Sequence, residues 1–231
     1  MIEYVLYVLF LLSLLIALIA QIRVKTTFNR YSKQATASGL TAAQVARMLL
    51  DREGLENVQI CRVGGKLTDH YDPRCETLFL SDSVHDNRSA AAIGVAAHEA
   101  GHAIQHARDY LPLTFRSKLV PVTNFASRAA WVFIIIGIIL YALSELGYAV
   151  ALVGLALYSM TTLFQLVTLP CEFDASGRAI RLMKDTGYFT RSDLSVAKKT
   201  LRAAAMTYVA ALFTSILQLL RIFYMVRNVR R

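Results

Sequence analysis

A chain of 231 residues with 55% hydrophobic residues and a mean hydropathy of +0.44 is too apolar for a purely soluble protein. Its net charge of +9 does not point to nucleic acid, because the basic residues flank long apolar runs instead of interleaving with aromatics. That pattern belongs to membrane topology and anionic headgroups. Cys61, Cys75 and Cys171 form no C-x-x-C and cannot all pair with one another, so no disulfide framework is expected.

Tyr4 to Ile22 is an almost unbroken apolar run, long enough to cross a bilayer as a helix. Glu3 precedes it and no small-residue cleavage site closes it, so an uncleaved anchor over residues 3–22 is expected, not a signal peptide. Arg23, Lys25, Arg30 and Lys33 follow at once. The positive-inside rule then puts this end in the cytoplasm and the N-terminus outside.

The segment 23–128 reads as a soluble domain. Residues 34–40 are a small-residue linker, and Thr41-Ala42-Ala43-Gln44 fits a capping box opening a short helix. Val45, Met48 and Leu49 give that helix one apolar stripe, with Gly54 as its stop. Val58 to Val63 alternates like a half-buried strand, Gly64-Gly65 turns the chain, and Glu76 to Leu80 is a second strand. The pair predicts a small antiparallel sheet, either a plain hairpin or an edge on which an extended peptide is held by main-chain hydrogen bonds.

A helix over 89–107 carries Ala97-His98-Glu99-Ala100-Gly101-His102-Ala103. His98 and His102, four apart, project from one helix face about 6 Å apart along the axis. Two imidazoles at that spacing can close on one tetrahedral Zn²⁺. Glu99 follows the first histidine, where a carboxylate reaches a water on the metal without binding the metal itself. This is the H-E-x-x-H pattern of zinc hydrolases. Arg88, Arg108 and Asp109 bound the helix, and Glu99, His102, Gln105 and His106 are costly in lipid, so a buried helix in a soluble domain is expected. His106 lies roughly 12 Å from His98 along the axis, too far to share an ion, and reads as a helix-end or supporting residue.

Residues 110–128 are an amphipathic stretch leading back to the membrane. Apolar runs at 131–143 and 148–169, split by Ser144-Glu145-Leu146-Gly147, predict a transmembrane hairpin over 129–169. The segment 170–202 is then a second soluble piece, basic and helical, with Ser192-Asp193 as a cap. Two crossings separate His102 from Glu172, so parity keeps them on one side of the bilayer. Glu172 follows Pro170 closely, opens a helix and lies on that side, which makes it the best third metal ligand. The alternative is a helix N-terminal acid complementing the dipole. Residues 203–220 predict a fourth span, although the tail Arg227, Arg230 and Arg231 then lies outside, against the positive-inside rule.

Ser38-Gly39-Leu40-Thr41, Leu67-Thr68-Asp69-His70-Tyr71-Asp72-Pro73, Ala97-His98-Glu99-Ala100-Gly101-His102-Ala103-Ile104-Gln105-His106 and Glu172-Phe173-Asp174-Ala175-Ser176 resemble the YugP-type neutral zinc metallopeptidases of the membrane. The resemblance covers nearly the whole chain. It implies a membrane-anchored zinc peptidase, distantly similar to HtpX-like and prenyl-protein peptidases, and a role in quality control of membrane or membrane-proximal proteins. In those relatives the glutamate of an E-x-x-A-D motif after a transmembrane hairpin is the third zinc ligand, which carries over to Glu172. The aspartate of that motif is Ser176 here. Asp174 points to another helix face, so support for a histidine falls to Ser176 or to an acid elsewhere.

The expected fold is therefore a mainly α membrane protein with about four transmembrane helices and a small α+β zincin-like catalytic domain. The expected site is Zn²⁺ held by His98, His102 and Glu172, with Glu99 as general base. His70, Tyr71, His85 and Arg178 are candidates for stabilising the oxyanion. Expected partners are the lipid bilayer and a peptide or protein substrate, with no nucleic acid. The expected location is the cell membrane, multi-pass, with a cytoplasmic catalytic domain. Two other readings compete. One is an intramembrane zinc protease, a class whose L-D-G triplet is absent here. The other is a non-catalytic zinc-binding scaffold, for which Glu99 has no use.

Overall fold

The computed structural model describes residues 1–229. The chain is mainly helical: α1 (Ile2–Tyr31), α2 (Ala42–Arg52), β1 (Gln59–Val63), β2 (His70–Asp72), β3 (Thr77–Ser81), α3 (Ala90–Ala107), α4 (Leu111–Tyr141), α5 (Leu146–Asp185) and α6 (Arg191–Val229). By length and composition α1, α4, α5 and α6 are each able to cross a membrane. At 40 residues, α5 is about 60 Å long, well beyond a hydrocarbon core of roughly 30 Å.

The described residues fall into two compact units. The first comprises Met1–Ile19, Phe115–Leu169 and the chain from Thr207 onward. Its hydrophobic cluster is small: Ile134, Ala151, Ile222 and Val226 are buried, with Tyr148, Leu155, Tyr158 and Met225 among the residues packed around them. Gly137 and Gly154 sit where α4 and α5 touch, and a Cβ on either collides with the facing helix at Ala151 or Ile134. Close backbone approach at small residues is how helices associate where lipid removes the hydrophobic drive. Hydroxyls join the remaining helices: Thr162 and Ser215 lie 2.7 Å apart, and Thr214 donates to the Ser13 carbonyl at 3.3 Å. Apolar side chains such as Leu12, Leu15, Ile135 and Ile139 face outward, as a lipid-facing surface requires.

The second unit, Ala20–Thr114 with Pro170–Met206, holds the larger core: Phe28, Leu49, Leu50, Leu78, Leu80, Ile93 and Met183 are among its fully buried residues. In α2 the capping box forms as predicted. Thr41 Oγ1 accepts from the Gln44 amide at 3.2 Å, and the Gln44 side chain accepts from the Thr41 N–H at 2.9 Å. Gly54, at φ +75°, ends the helix in the left-handed region that favours glycine.

Three expectations change. The sheet is not a simple antiparallel pair: its order is β1-β3-β2, with β1 parallel to β3 and β2 antiparallel to β3. The three-residue β2 makes the difference. It forms the hairpin with β3, so the chain after Gly64-Gly65 crosses over and β3 becomes the central strand. Secondly, no new helix opens after Pro170; α5 runs unbroken from Leu146 through it, as α4 runs through Pro121. A proline removes one N–H and crowds the carbonyl four residues back, a local cost that a long packed helix absorbs. Glu172 therefore lies deep within α5, not at a helix start. Thirdly, Thr190 and not Ser192 caps α6: its hydroxyl accepts from the Asp193 N–H at 3.2 Å, and the Asp193 carboxylate accepts from the Thr190 N–H at 2.9 Å. The same helix continues through the last apolar run. Arg230 and Arg231, weighed above in the topology, lie outside the described residues.

Candidate metal centre

α3 is built almost entirely of small residues up to its first histidine, and this composition lets other helices approach it. Ser89 caps it, accepting from the Ala92 N–H at 3.2 Å. A Cβ on Gly94 would stand 3.0 Å from Ala197 Cβ of α6. A Cβ on Gly101 would stand 2.8 Å from the Ala175 carbonyl oxygen and 3.3 Å from its Cα, both backbone of α5. Gly101 lies between the two histidines, so α3 and α5 come close together where the two rings reach Glu172 and Ser176 of α5.

There the side chains converge. The rings of His98 and His102 meet edge to face, with centroids 4.7 Å apart. Between them comes Glu172 from α5: one carboxylate oxygen is 3.2 Å from His98 Nε2, and the other is 3.7 Å from His102 Nε2. One donor atom from each of the three lies within 4.8 Å of the others. The side chain of Glu172 is 3% exposed and that of His102 is 9% exposed, so this is an interior cluster and not a surface acid patch. Two imidazole nitrogens and a carboxylate oxygen are a donor set that suits zinc and leaves a coordination position open. Glu99, on the same helix, is also buried.

The other nitrogens of the two rings are occupied. His98 Nδ1 is 3.1 Å from Ser176 Oγ, and His102 Nδ1 is 2.9 Å from Gln105 Oε1. Gln105 in turn donates from Nε2 to the Cys171 carbonyl and to Asp174 Oδ2, each at 2.8 Å. Arg178 donates to the same Asp174 oxygen at 2.5 Å and lies over the Tyr110 ring. Sequence reasoning missed Gln105 and the part played by Asp174. The available signal was spacing: Gln105 is three residues beyond His102, hence on the same helix face. Asp174 does point away from His98, but towards Gln105.

Burial opposes a charge on His102, yet Cys171, Glu172 and Glu99 outweigh it and push its pKa up to about 10. Burial also opposes a charge on Glu172, and hydrogen bonds from His102 and His98 outweigh it, holding the carboxyl below its ordinary range. The local field thus favours positive charge at the cluster, from a proton or from a divalent cation. Asp69 is raised, chiefly by burial, with Glu99 adding repulsion; Ser81 partly compensates through N–H and hydroxyl donation at 2.8 and 3.0 Å.

The four oxyanion candidates are dispersed. His70 is exposed and stacked on Phe79, Tyr71 bonds His106 Nδ1 at 3.0 Å, and His85 pairs with Asp86 at 2.7 Å. Arg178 reaches the cluster only through Asp174 and Gln105. His106 accordingly sits against β2, away from the three converging donors.

Four membrane-length helices and a largely buried group of two histidines and one glutamate define a membrane-type protein with a candidate zinc centre. A family model described as "Putative neutral zinc metallopeptidase" matches residues 6–227, and the chain belongs to that family. It is 43% identical over 210 residues to the "Putative membrane protease YugP" of Bacillus subtilis (strain 168), covering 91% of each chain. No solved structure matches. The resemblance drawn from the motifs is borne out, and family and relative together support a zinc-dependent protease of the membrane.

Proposed function

We propose that this chain is a membrane-anchored zinc endopeptidase that cleaves peptide bonds in membrane or membrane-proximal proteins, in a quality-control role. The observation that carries the reading is the convergence of His98, His102 and Glu172 donors within 4.8 Å, beside a buried Glu99 on the same helix. His98 and His102 offer Nε2 lone pairs, and Glu172 adds the charged third ligand. A zinc ion bound by these three residues would supply Lewis acidity for the scissile carbonyl and for the attacking water. Glu99 takes the proton from that water and delivers it to the leaving amine. Burial of Glu99 and Glu172 excludes bulk water, so the charges act at low dielectric.

The three-residue β2 is an edge strand of a sheet whose centre is β3, and it packs beside α3. An extended substrate adds to that edge as a further strand. The zincin-like catalytic domain comprises 23–128 and 170–202, with spans at 3–22, 129–169 and 203–220 and the catalytic domain in the cytoplasm. Detergent-purified, zinc-loaded protein is expected to cleave members of a broad peptide panel, to lose that cleavage with a chelator and to regain it with zinc. Consistent inactivity of zinc-loaded protein across the panel points instead to a non-catalytic zinc-bound scaffold.

A further inference from the structure

Gln105 is fully buried, yet every hydrogen-bonding position on its amide is used. The Nε2 group faces the Cys171 carbonyl and the Asp174 carboxylate, each at 2.8 Å. Neither of those groups donates, so the amide end nearest them must be the NH₂. The oxygen end is thereby turned to His102 Nδ1 at 2.9 Å and to the Cys171 thiol at 3.3 Å. An oxygen that only accepts requires a proton on Nδ1. A neutral imidazole carrying its proton on Nδ1 has its lone pair on Nε2, the atom directed at Glu172.

Resting on the ligand reading above, we propose that Gln105 is a positioning residue that fixes the tautomer and aim of His102, and that Asp174 and the Cys171 carbonyl fix Gln105. Arg178 donates to Asp174 and holds it in place, so the chain of contacts runs Arg178–Asp174–Gln105–His102. Among the described residues His98 has no equivalent device. Its Nδ1 faces the Ser176 hydroxyl, which either donates or accepts and so does not select a tautomer. The two histidines are therefore unequally prepared: His102 already has its Nδ1 proton held by Gln105, so Nε2 is the nitrogen left to an ion, while the donor atom of His98 is selected by the ion itself.

The test uses the full chain in detergent. With five histidines, long-range ¹H–¹⁵N spectra of ¹⁵N-histidine-labelled wild type can be assigned by single replacements. In zinc-loaded protein His102 is expected to carry its proton on Nδ1. Binding through Nδ1 with the proton on Nε2 overturns the proposal whether or not any variant folds. In parallel, Gln105→Met, similar in length but without the amide, is expected to weaken zinc binding about 10- to 100-fold by chelator competition. A folded Gln105→Met protein that binds zinc within twofold of wild type also overturns it. If wild type binds no zinc, the ligand reading fails and this inference falls with it. If wild type binds one zinc and only the Gln105 results disagree, the ligand reading stands and the positioning role alone is lost.

Discussion

Ser176 Oγ lies 3.1 Å from Nδ1 of His98, one helical turn beyond Glu172 on the same face of α5. The position that an aspartate occupies in the E-x-x-A-D motif of distant relatives thus keeps its contact here with a neutral hydroxyl. Outer partners of metal-bound histidines typically contribute 10- to 100-fold to affinity, and a neutral one belongs at the lower end. Ser176→Ala is expected to weaken zinc binding about tenfold, whereas Ser176→Asp keeps it. Chelator competition checks both.

Gly101 has no room for a side chain, because a Cβ would stand 2.8 Å from a backbone oxygen of α5. Backbone cannot swing aside as a side chain does. Gly101→Ala should force α3 and α5 apart, costing about 1–3 kcal/mol. Thermal melts should show the lower stability, and zinc titration should show weaker binding, since the same crossing sets the distance from both histidines to Glu172.

For chelator-treated protein the signs of the pKa shifts define a pH window. His102 is raised from 6.5 to about 10, so its contribution to stability is complete below pH 6.5 and lost as pH rises through 10. Glu172 is lowered from 4.5, so its contribution is complete above pH 4.5 and lost at lower pH. The two overlap fully between pH 4.5 and 6.5, where this pair stabilises most. Melting temperature is expected to fall on either side; a steady rise from pH 6.5 to 10 would sink the assignment of a charged pair. Zinc must displace the His102 proton, so affinity should weaken as pH falls.

Topology is tested at Arg108, whose side chain is 63% exposed just beyond α3. A cysteine there should react with a membrane-impermeant thiol reagent only when the cytoplasmic face is accessible. Labelling from the outside would reverse the orientation. Protection from both sides would favour an α3 embedded in lipid.

Local features were the legible ones. The Thr41–Gln44 box forms as predicted because its donors and acceptors lie three residues apart, and the pairing of His98 with His102 on one face follows from helical periodicity alone. Features that depend on distant packing were not. Three residues, His70–Asp72, reverse the sense of the strand pairing, too few to register as a periodic pattern. Pro170 reads as a helix boundary by its local chemistry, but the rest of the long α5 carries the helix through it. Gln105 looked like one polar residue on an apolar helix, and its meaning lies in Cys171 and Asp174, more than sixty residues away.

Glu99, as the base, is the residue that separates a peptidase from a protein that only binds zinc. Glu99→Gln keeps the shape and removes the proton acceptor without touching a metal donor. Cleavage by the zinc-loaded variant, measured beside wild type, should fall at least about 10²- to 10⁴-fold while zinc content stays at one ion per chain. Cleavage at the wild-type rate by that variant would contradict the mechanism.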